Sequence, residues 1–231
     1  MKLKTLALTA LMTVVALTAT THAGKYVSVN AGLVHMKPRL SQMSDPANAN
    51  AFTTLIKKNK MTTQANILFG CEEMHSEKVI LGGELSLGTT FGGSDAPVDG
   101  DGAGGDPRQL KVRQHWKTGI YGLVGTPLSD KVNLYGRLGL VLSKFNVKSV
   151  AALGAPGADD FIRRSSLLWG VEPGVRIKVN LTDSLSADFD VNYAMYKSST
   201  SDYSSTAIAN DWGIKMSPRM FGITAGVSYK L

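Results

Sequence analysis

The chain has 231 residues and carries 25 lysines and arginines against 18 aspartates and glutamates, a formal charge of +7. One cysteine, Cys71, excludes an intramolecular disulfide framework and Cys-rich metal sites, and beyond the first two dozen residues no apolar run approaches the roughly 18 that a helical membrane span needs. The positive excess points to an anionic partner, and 24 glycines with few aromatics suit closely packed twisted strands better than a helical bundle.

Lys2 and Lys4 precede the apolar stretch Leu6–Ala19, and Thr21-His22-Ala23 ends in a small residue fit for cleavage. This is the pattern of a secretory signal peptide over residues 1–23, which leaves 24–231 as one domain. The apolar stretch is too short for a spanning helix. Export removes nucleic acid as the anionic partner and makes lipid phosphate the natural one.

Period-2 alternation then recurs along the chain. The first run, Tyr26 to Met36, sets Val27, Val29, Ala31 and Leu33 against Ser28, Asn30 and Gly32, and a long polar segment, 37–60, follows. In the run 61–71, Ala65, Ile67 and Phe69 oppose Gln64, Asn66 and Gly70, and a short charged turn is expected at 72–78. Val79, Leu81, Leu85, Leu87 and Phe91 face away from Glu84, Ser86 and Gly88, before a second long segment at 92–110. Strand four, 111–126, alternates poorly: Trp116, Ile120 and Val124 fall on one face, Tyr121 and Leu123 on the other.

Pro127-Leu128-Ser129-Asp130 predicts a tight turn, after which Val132, Leu134, Leu138, Leu140 and Leu142 alternate with Asn133, Tyr135, Arg137 and Ser143. A loop is expected at 150–164. Strand six shows Leu167, Trp169, Val171, Pro173, Val175, Ile177 and Val179 opposite Gly170, Glu172, Gly174, Arg176 and Lys178, and Thr182-Asp183-Ser184 makes the next short turn. Leu185, Ala187, Phe189, Val191, Tyr193 and Met195 oppose Ser186, Asp188, Asp190 and Asn192; a loop at 197–211 leads to the last strand, with Phe221, Ile223, Ala225, Val227, Tyr229 and Leu231 on one face.

These eight runs predict an all-β fold, an eight-stranded antiparallel up-and-down transmembrane β-barrel with short periplasmic turns and long extracellular loops. A soluble barrel would show the same two faces. Three features favour the membrane: the alternation of short and long connections, the form of the C-terminus, and the common height of the polar-face charges. Glu84, Arg137, Arg176 and Asp190 each lie about six residues above the nearest short turn.

Thr224, Gly226, Tyr229 and Leu231 hold the positions of a pattern that resembles the signal by which outer-membrane barrels are recognised for insertion, with Leu231 in place of the usual aromatic. The phrases Pro127-Leu128-Ser129-Asp130-Lys131-Val132-Asn133-Leu134-Tyr135-Gly136-Arg137-Leu138-Gly139 and Trp169-Gly170-Val171-Glu172-Pro173-Gly174-Val175, with Asn180-Leu181-Thr182-Asp183, are similar to those of the small outer-membrane barrels of the opacity-protein and OmpA or OmpX type. The likeness covers the strands and none of the loops. It implies location in the outer membrane, a lumen filled with ion pairs, no cofactor, insertion by the barrel-assembly machinery, and a monomer in contact with outer-membrane lipid.

An eight-stranded barrel encloses a space just wide enough for its own side chains. Glu84, Arg137, Arg176 and Asp190, with Glu172, Lys178 and Asp188 nearby, are therefore expected to pair with one another in a lumen charge layer. Lys37, Arg39, Lys57, Lys58, Lys60, Lys111, Arg113, Lys144, Lys148, Arg163 and Arg164 crowd the long-loop side, a rim able to contact lipopolysaccharide phosphates or simply to keep the loops soluble. His22 leaves with the signal; His35, His75 and His115 belong to no nucleophile motif and read as rim or surface residues. The Gly/Asp segment 92–106 offers oxygens to calcium but lacks the EF-hand spacing, and reads as a solvated loop.

The expectation is a non-enzymatic scaffold for surface loops, serving envelope integrity or contact with host or environmental surface ligands. A narrow pore and a lipid-modifying enzyme remain rival readings of the same sequence.

Overall fold

The computed structural model describes residues 24–37, 40–43, 52–56, 60–92, 94–98, 108–151, 163–205 and 208–231; for 40–43, 52–56, 60, 94–98, 108–111, 148–151, 163–164, 200–205 and 208–214 it describes the backbone alone. The strands are β1 (Gly24–Lys37), β2 (Leu40–Met43), β3 (Phe52–Ile56), β4 (Lys60–Ser76), β5 (Val79–Phe91), β6 (Ser94–Val98), β7 (Arg108–Ser129), β8 (Val132–Ala151), β9 (Arg163–Asn180), β10 (Leu185–Tyr196), β11 (Ser199–Ser205), β12 (Ile208–Met216) and β13 (Arg219–Lys230). Eight of them, β1, β4, β5, β7, β8, β9, β10 and β13, are the staves of a closed antiparallel barrel, each bonded to its neighbours in chain order and the last to the first. The closing β1–β13 ladder runs without a shift from Tyr26↔Lys230 to Lys37↔Arg219, so no stave is left with an unpaired edge along that seam.

The expected faces are present on these staves. Val29, Leu33, Ile67, Leu87, Leu138, Val175, Phe189, Ile223 and Val227 stand exposed on the outer wall, while Ser28, Asn30, Gln64, Glu84, Arg137, Arg176, Asp190 and Thr224 are buried inside. Trp116 and Trp169 face outward near the end opposite the short turns. Inside-out polarity of this kind suits a wall that meets lipid on one side and a polar lumen on the other.

The structure corrects several expected boundaries. The turn placed at 72–78 shrinks to Glu77-Lys78, because Glu72, Glu73 and Met74 continue the ladder opposite Gly82, Leu81 and Ile80, and His75 sits at a bulge near the end of β4. Pro127, Leu128 and Ser129 belong to β7, leaving Asp130-Lys131 as the turn; the proline is accommodated beside a register shift between Pro127 and Ser129. The poor alternation of strand four has a cause: a bulge between Gln114 and Lys117 turns His115 and Trp116 outward together and reverses the parity of everything after them.

The segments expected as loops at 37–60 and 197–211 contain strands instead. β11, β12, β2 and β3 form a second, four-stranded sheet in that order, with β12 paired to β2 from Gly213↔Met43 to Met216↔Leu40. The chain breaks its ladder at Ser217-Pro218 between β12 and β13, where proline has no N–H to give. Part of 92–110 is also strand: β6 pairs with β7 beyond the end of β5, after a bend at Gly92, whose φ of 106° favours glycine. Of the loop expected at 150–164, Val150 and Ala151 belong to β8 and Arg163 and Arg164 to β9, and the rest lies outside the described residues.

Tyr121 lies flat against inward glycines. A Cβ at Gly139 would stand 2.2 Å from its Cδ1, and one at Gly119 2.8 Å from its hydroxyl. Gly136, on the outward face of the same stave, would meet nothing nearer than Val124 O at 3.8 Å. Gly139→Val should therefore displace Tyr121 and destabilise the barrel by about 1–3 kcal/mol, the usual scale of overpacking, whereas Gly136→Val should be nearly neutral. Urea unfolding of the two variants in lipid vesicles measures the difference; equal midpoints would contradict the packing described.

Candidate functional site: the packed lumen

The ladder itself places the central charges. Asp190 on β10 is the cross-strand partner of Arg176 on β9, and both point inward, as do Arg137 on β8 and Glu84 on β5. Arg176 Nε donates to Asp190 Oδ1 at 2.7 Å, and its Nη1 donates to Glu84 Oε1. Arg137 completes the square, 3.0 Å from Asp190 Oδ1 through Nη1 and 3.5 Å from Glu84 Oε2 through Nη2. Tyr26 Oη donates to Glu84 Oε1 at 2.6 Å, and the Arg137 guanidinium lies 4.0 Å above the Tyr121 ring. All four charged side chains are buried, where a paired charge is tolerable and a lone one is not.

The remaining lumen charges do not join this layer. Glu172 pairs with Lys117 at 2.9 Å and accepts from Tyr121 at 2.9 Å, because it sits four residues up β9 from Arg176, about 13 Å away along the strand. Lys178 pairs with Glu72 at 2.7 Å, and Tyr135 donates to the same carboxylate at 3.0 Å. Asp188, expected to pair with this group, accepts hydrogen bonds from Ser28 and Ser228 and makes no salt bridge among the described residues, although the charges of Arg176 and Lys178 act on it. Lys117 escaped the sequence reading because the bulge hid its parity. Glu72 is hidden because its charge, next to Glu73, has the look of a turn although the ladder runs through it.

Above the ion pairs the lumen changes character. Thr90, Gln114, Ser143 and Tyr196 form a neutral hydrogen-bonded tier, with Gln114 Nε2 donating to Ser143 Oγ at 2.7 Å. Val34, Met36, Val112, Val141, Phe145, Val147, Leu168, Met216 and Met220 then fill the interior as an apolar cap, with the Phe145 and Tyr196 rings edge to face at 5.0 Å. The signal for this cap was visible in runs such as Leu33-Val34, Leu140-Val141-Leu142 and Leu167-Leu168-Trp169, where both faces of a strand turn apolar together. At the short-turn end lies a polar vestibule of about 610 Å³, lined in part by Tyr26, Glu72, Lys178, Ser186 and Ser228.

Of the proposed rim, Lys37 and Arg113 are exposed and Lys144 is half-buried, on outward positions. Arg39, Lys57 and Lys58 lie outside the described residues, and Lys60, Lys111, Lys148, Arg163 and Arg164 are placed by backbone alone. The register sets Lys37 opposite Arg219, Lys111 opposite Lys148, and Lys148 opposite Arg163. Lys197 lies 5.5 Å over the Trp169 ring. Among the insertion-signal positions, Thr224 is buried in the lumen, Gly226 lies against Val29 and Asn30 at the closing seam, and Tyr229 and Leu231 are exposed. His115 Nε2 contacts Asn146 Nδ2 at 2.7 Å, and no metal-ligating group of His, Cys, Asp or Glu occurs among the described residues. The Gly/Asp segment falls mostly outside them.

Residues 5–230 match the outer membrane protein beta-barrel domain family. No curated protein matches the chain by sequence. Among solved structures, the outer membrane protein OprG from Pseudomonas aeruginosa is similar at 15% identity and a TM-score of 0.52, over 91% of this chain and 97% of its own. A major outer membrane protein from Thermus thermophilus is similar at 16% identity and 0.51, over 90% and 99%, and the outer membrane protease OmpT from Escherichia coli at 11% and 0.50, over 91% and 98%. At such identities the likeness is one of fold.

The central square makes a quantitative prediction. Arg137→Ala leaves Glu84 and Asp190 to one guanidinium, and removal of one partner from a dry buried pair costs about 3–5 kcal/mol, less where water enters. Arg137→Lys should lose less, since one ammonium still reaches one carboxylate but cannot serve two. Urea unfolding followed by tryptophan fluorescence ranks the variants; an Arg137→Ala protein as stable as wild type would show that the square contributes nothing.

Proposed function

The chain belongs to the outer membrane protein beta-barrel domain family, and from that premise we propose that it is a non-enzymatic, monomeric outer-membrane barrel, closed to ions, whose staves hold surface segments for envelope integrity or for contact with a host or environmental ligand. The observation that carries this reading is the occupied lumen: ion pairs, a neutral hydrogen-bonded tier and an apolar cap succeed one another along its axis. Fold alone does not argue against catalysis, since a protease shares it. The argument rests on the side chains. Glu84, Glu172 and Asp190 are committed to ion pairs, Asp188 is held by the hydroxyls of Ser28 and Ser228, and the histidines stand apart from them.

The same premise supports a lipid partner. Like charges directly opposite one another destabilise a ladder, and the register sets three such cationic pairs at the end away from the short turns. Phosphates of lipopolysaccharide would offset that repulsion through charge-assisted hydrogen bonds. Thr224, Gly226, Tyr229 and Leu231 then serve as the signal read by the barrel-assembly machinery.

Conductance tests the closed lumen. In planar bilayers the wild type should show little or no steady current, and so should Arg137→Ala, because the apolar cap stays in place above the altered square; a large, stable current from the wild type would replace this reading with a pore.

Sidedness is tested by single cysteines in a Cys71→Ala background. An impermeant thiol reagent on intact cells should label Asp101→Cys and spare Ser184→Cys. Equal labelling would remove the assignment of the short turns to the periplasm, and the lipopolysaccharide contact with it.

A further inference from the structure

The outer wall is unevenly charged at the end away from the short turns. On β4 and β5 that end shows Met61, Thr63, Thr89 and Phe91, all exposed and uncharged. On β7, β8 and β9 cations gather instead. Arg113 is exposed and Lys144 half-buried on the outward face, and neither makes an ion pair among the described residues. Two residues further along each stave, Lys111, Lys148 and Arg163 are successive register partners across all three. Among the described residues Asp95 of β6, the partner of Lys111, is the one acid that these ladders set beside them; the aspartates of the two adjoining connections lie outside the described residues.

The bulge in β7 shapes the lower half of this sector. Regular alternation would send either His115 or Trp116 into the lumen, whereas the bulge keeps both outside, beside Arg113 and Lys144. Two contacts fix it there: Thr89 Oγ1 donates to the His115 carbonyl at 2.8 Å, and Asn146 Nδ2 lies 2.7 Å from His115 Nε2 and holds the imidazole against β8. Toward the middle of the barrel the same face turns apolar, through Trp169, Leu142, Ile120 and Leu140. Outward tryptophans of this kind mark the depth at which hydrocarbon gives way to headgroups, so Arg113 and Lys144 stand at phosphate level.

We propose that the outer face of β7, β8 and β9 is a discrete binding site for the headgroup of an acylated sugar lipid that carries two phosphates. One phosphate sits at the level of Arg113 and Lys144, the second at the row of Lys111, Lys148 and Arg163. The inference rests on the lipid contact argued above and narrows it from the whole rim to three staves. Spacing selects the headgroup: Lys144 and Lys148 are four residues apart on one stave, about 13 Å, so a sugar phosphorylated at both ends meets cations with each, and a monophosphate meets only half of them. Phosphate suits these donors, since a guanidinium grips its oxygens in pairs. The wall selects the source. Leu140, Leu142 and Trp169 continue directly below the cations and receive acyl chains, a surface that a soluble polyanion leaves unused.

Native mass spectrometry of the refolded protein in a zwitterionic detergent tests the site, with diphosphoryl lipid A as the probe. The wild type should retain one such lipid, more tightly than monophosphoryl lipid A or phosphatidylglycerol. Arg113→Gln with Lys144→Gln should weaken binding by about tenfold or more, the scale of one lost charge-assisted hydrogen bond. Lys25→Gln with Lys78→Gln removes the same charge from exposed positions at the short-turn end and should leave binding unchanged. All these side chains lie on the outside, and heat-modifiable migration verifies that each variant is folded. Equal affinity for the deacylated disaccharide bisphosphate would overturn the lipid assignment in favour of a soluble polyanion. An equal loss from Lys37→Gln with Arg219→Gln would overturn the discrete site and leave a diffuse cationic rim. Wild-type binding no tighter than that of phosphatidylglycerol would remove both the site and the lipopolysaccharide contact on which it rests.

Discussion

The structure depends on the narrowness of an eight-staved barrel. Its interior admits side chains and little else, so an inward charge must find its opposite within a few ångströms or stand uncompensated in a medium that penalises it. Antiparallel register meets this demand directly for Asp190 and Arg176, which are cross-strand partners. It meets it across the lumen for Glu84, which reaches Arg176 and Arg137 from β5. Glycine takes part in the same arrangement: the Tyr121 ring occupies the space over Gly139 and Gly119, and from there its hydroxyl can support Glu172 while its face supports Arg137.

How much of this was legible in the sequence follows from where period two holds. Through the middle of β1, β5, β9 and β10 the alternation holds, and the inward set Glu84, Arg176 and Asp190 is legible in the residues alone. It failed at β7, where one bulge put His115 and Trp116 on the same face and hid Lys117. It fails again at Glu72, whose charge mimics a turn although the residue faces a lumen where it pairs with Lys178. The polar composition of 37–60 and 197–211 suggested loops, and composition could not disclose that β2 and β12 pair across them. Such pairing is a long-range fact with no local signature.

The apolar cap was missed for a different reason. An outer-membrane strand is read by assigning its apolar residues to lipid, and that habit has no place for Val34, Met36, Phe145 or Leu168 inside. Their burial makes the lumen two-tiered, with charge toward the short turns and hydrocarbon toward the other end. A polar tier tolerates water and an apolar one expels it, so the two close the barrel by unlike means. A substitution that loosens one leaves the other in place.

This division bears on where the barrel can vary. The ion-pair tier is over-determined, since each arginine serves two carboxylates and each of those carboxylates serves two arginines, and a change at any corner strands a charge. The cap is held by shape and hydrophobicity, and its methionines, Met36, Met216 and Met220, are the side chains best able to refill a gap when a neighbour changes. Met216 belongs to β12, part of the second sheet, so the cap joins the lumen to the segments beyond the barrel. Changes in those segments are therefore absorbed by soft packing before they reach the charges, and the rigid tier can remain fixed while the surface it supports diverges.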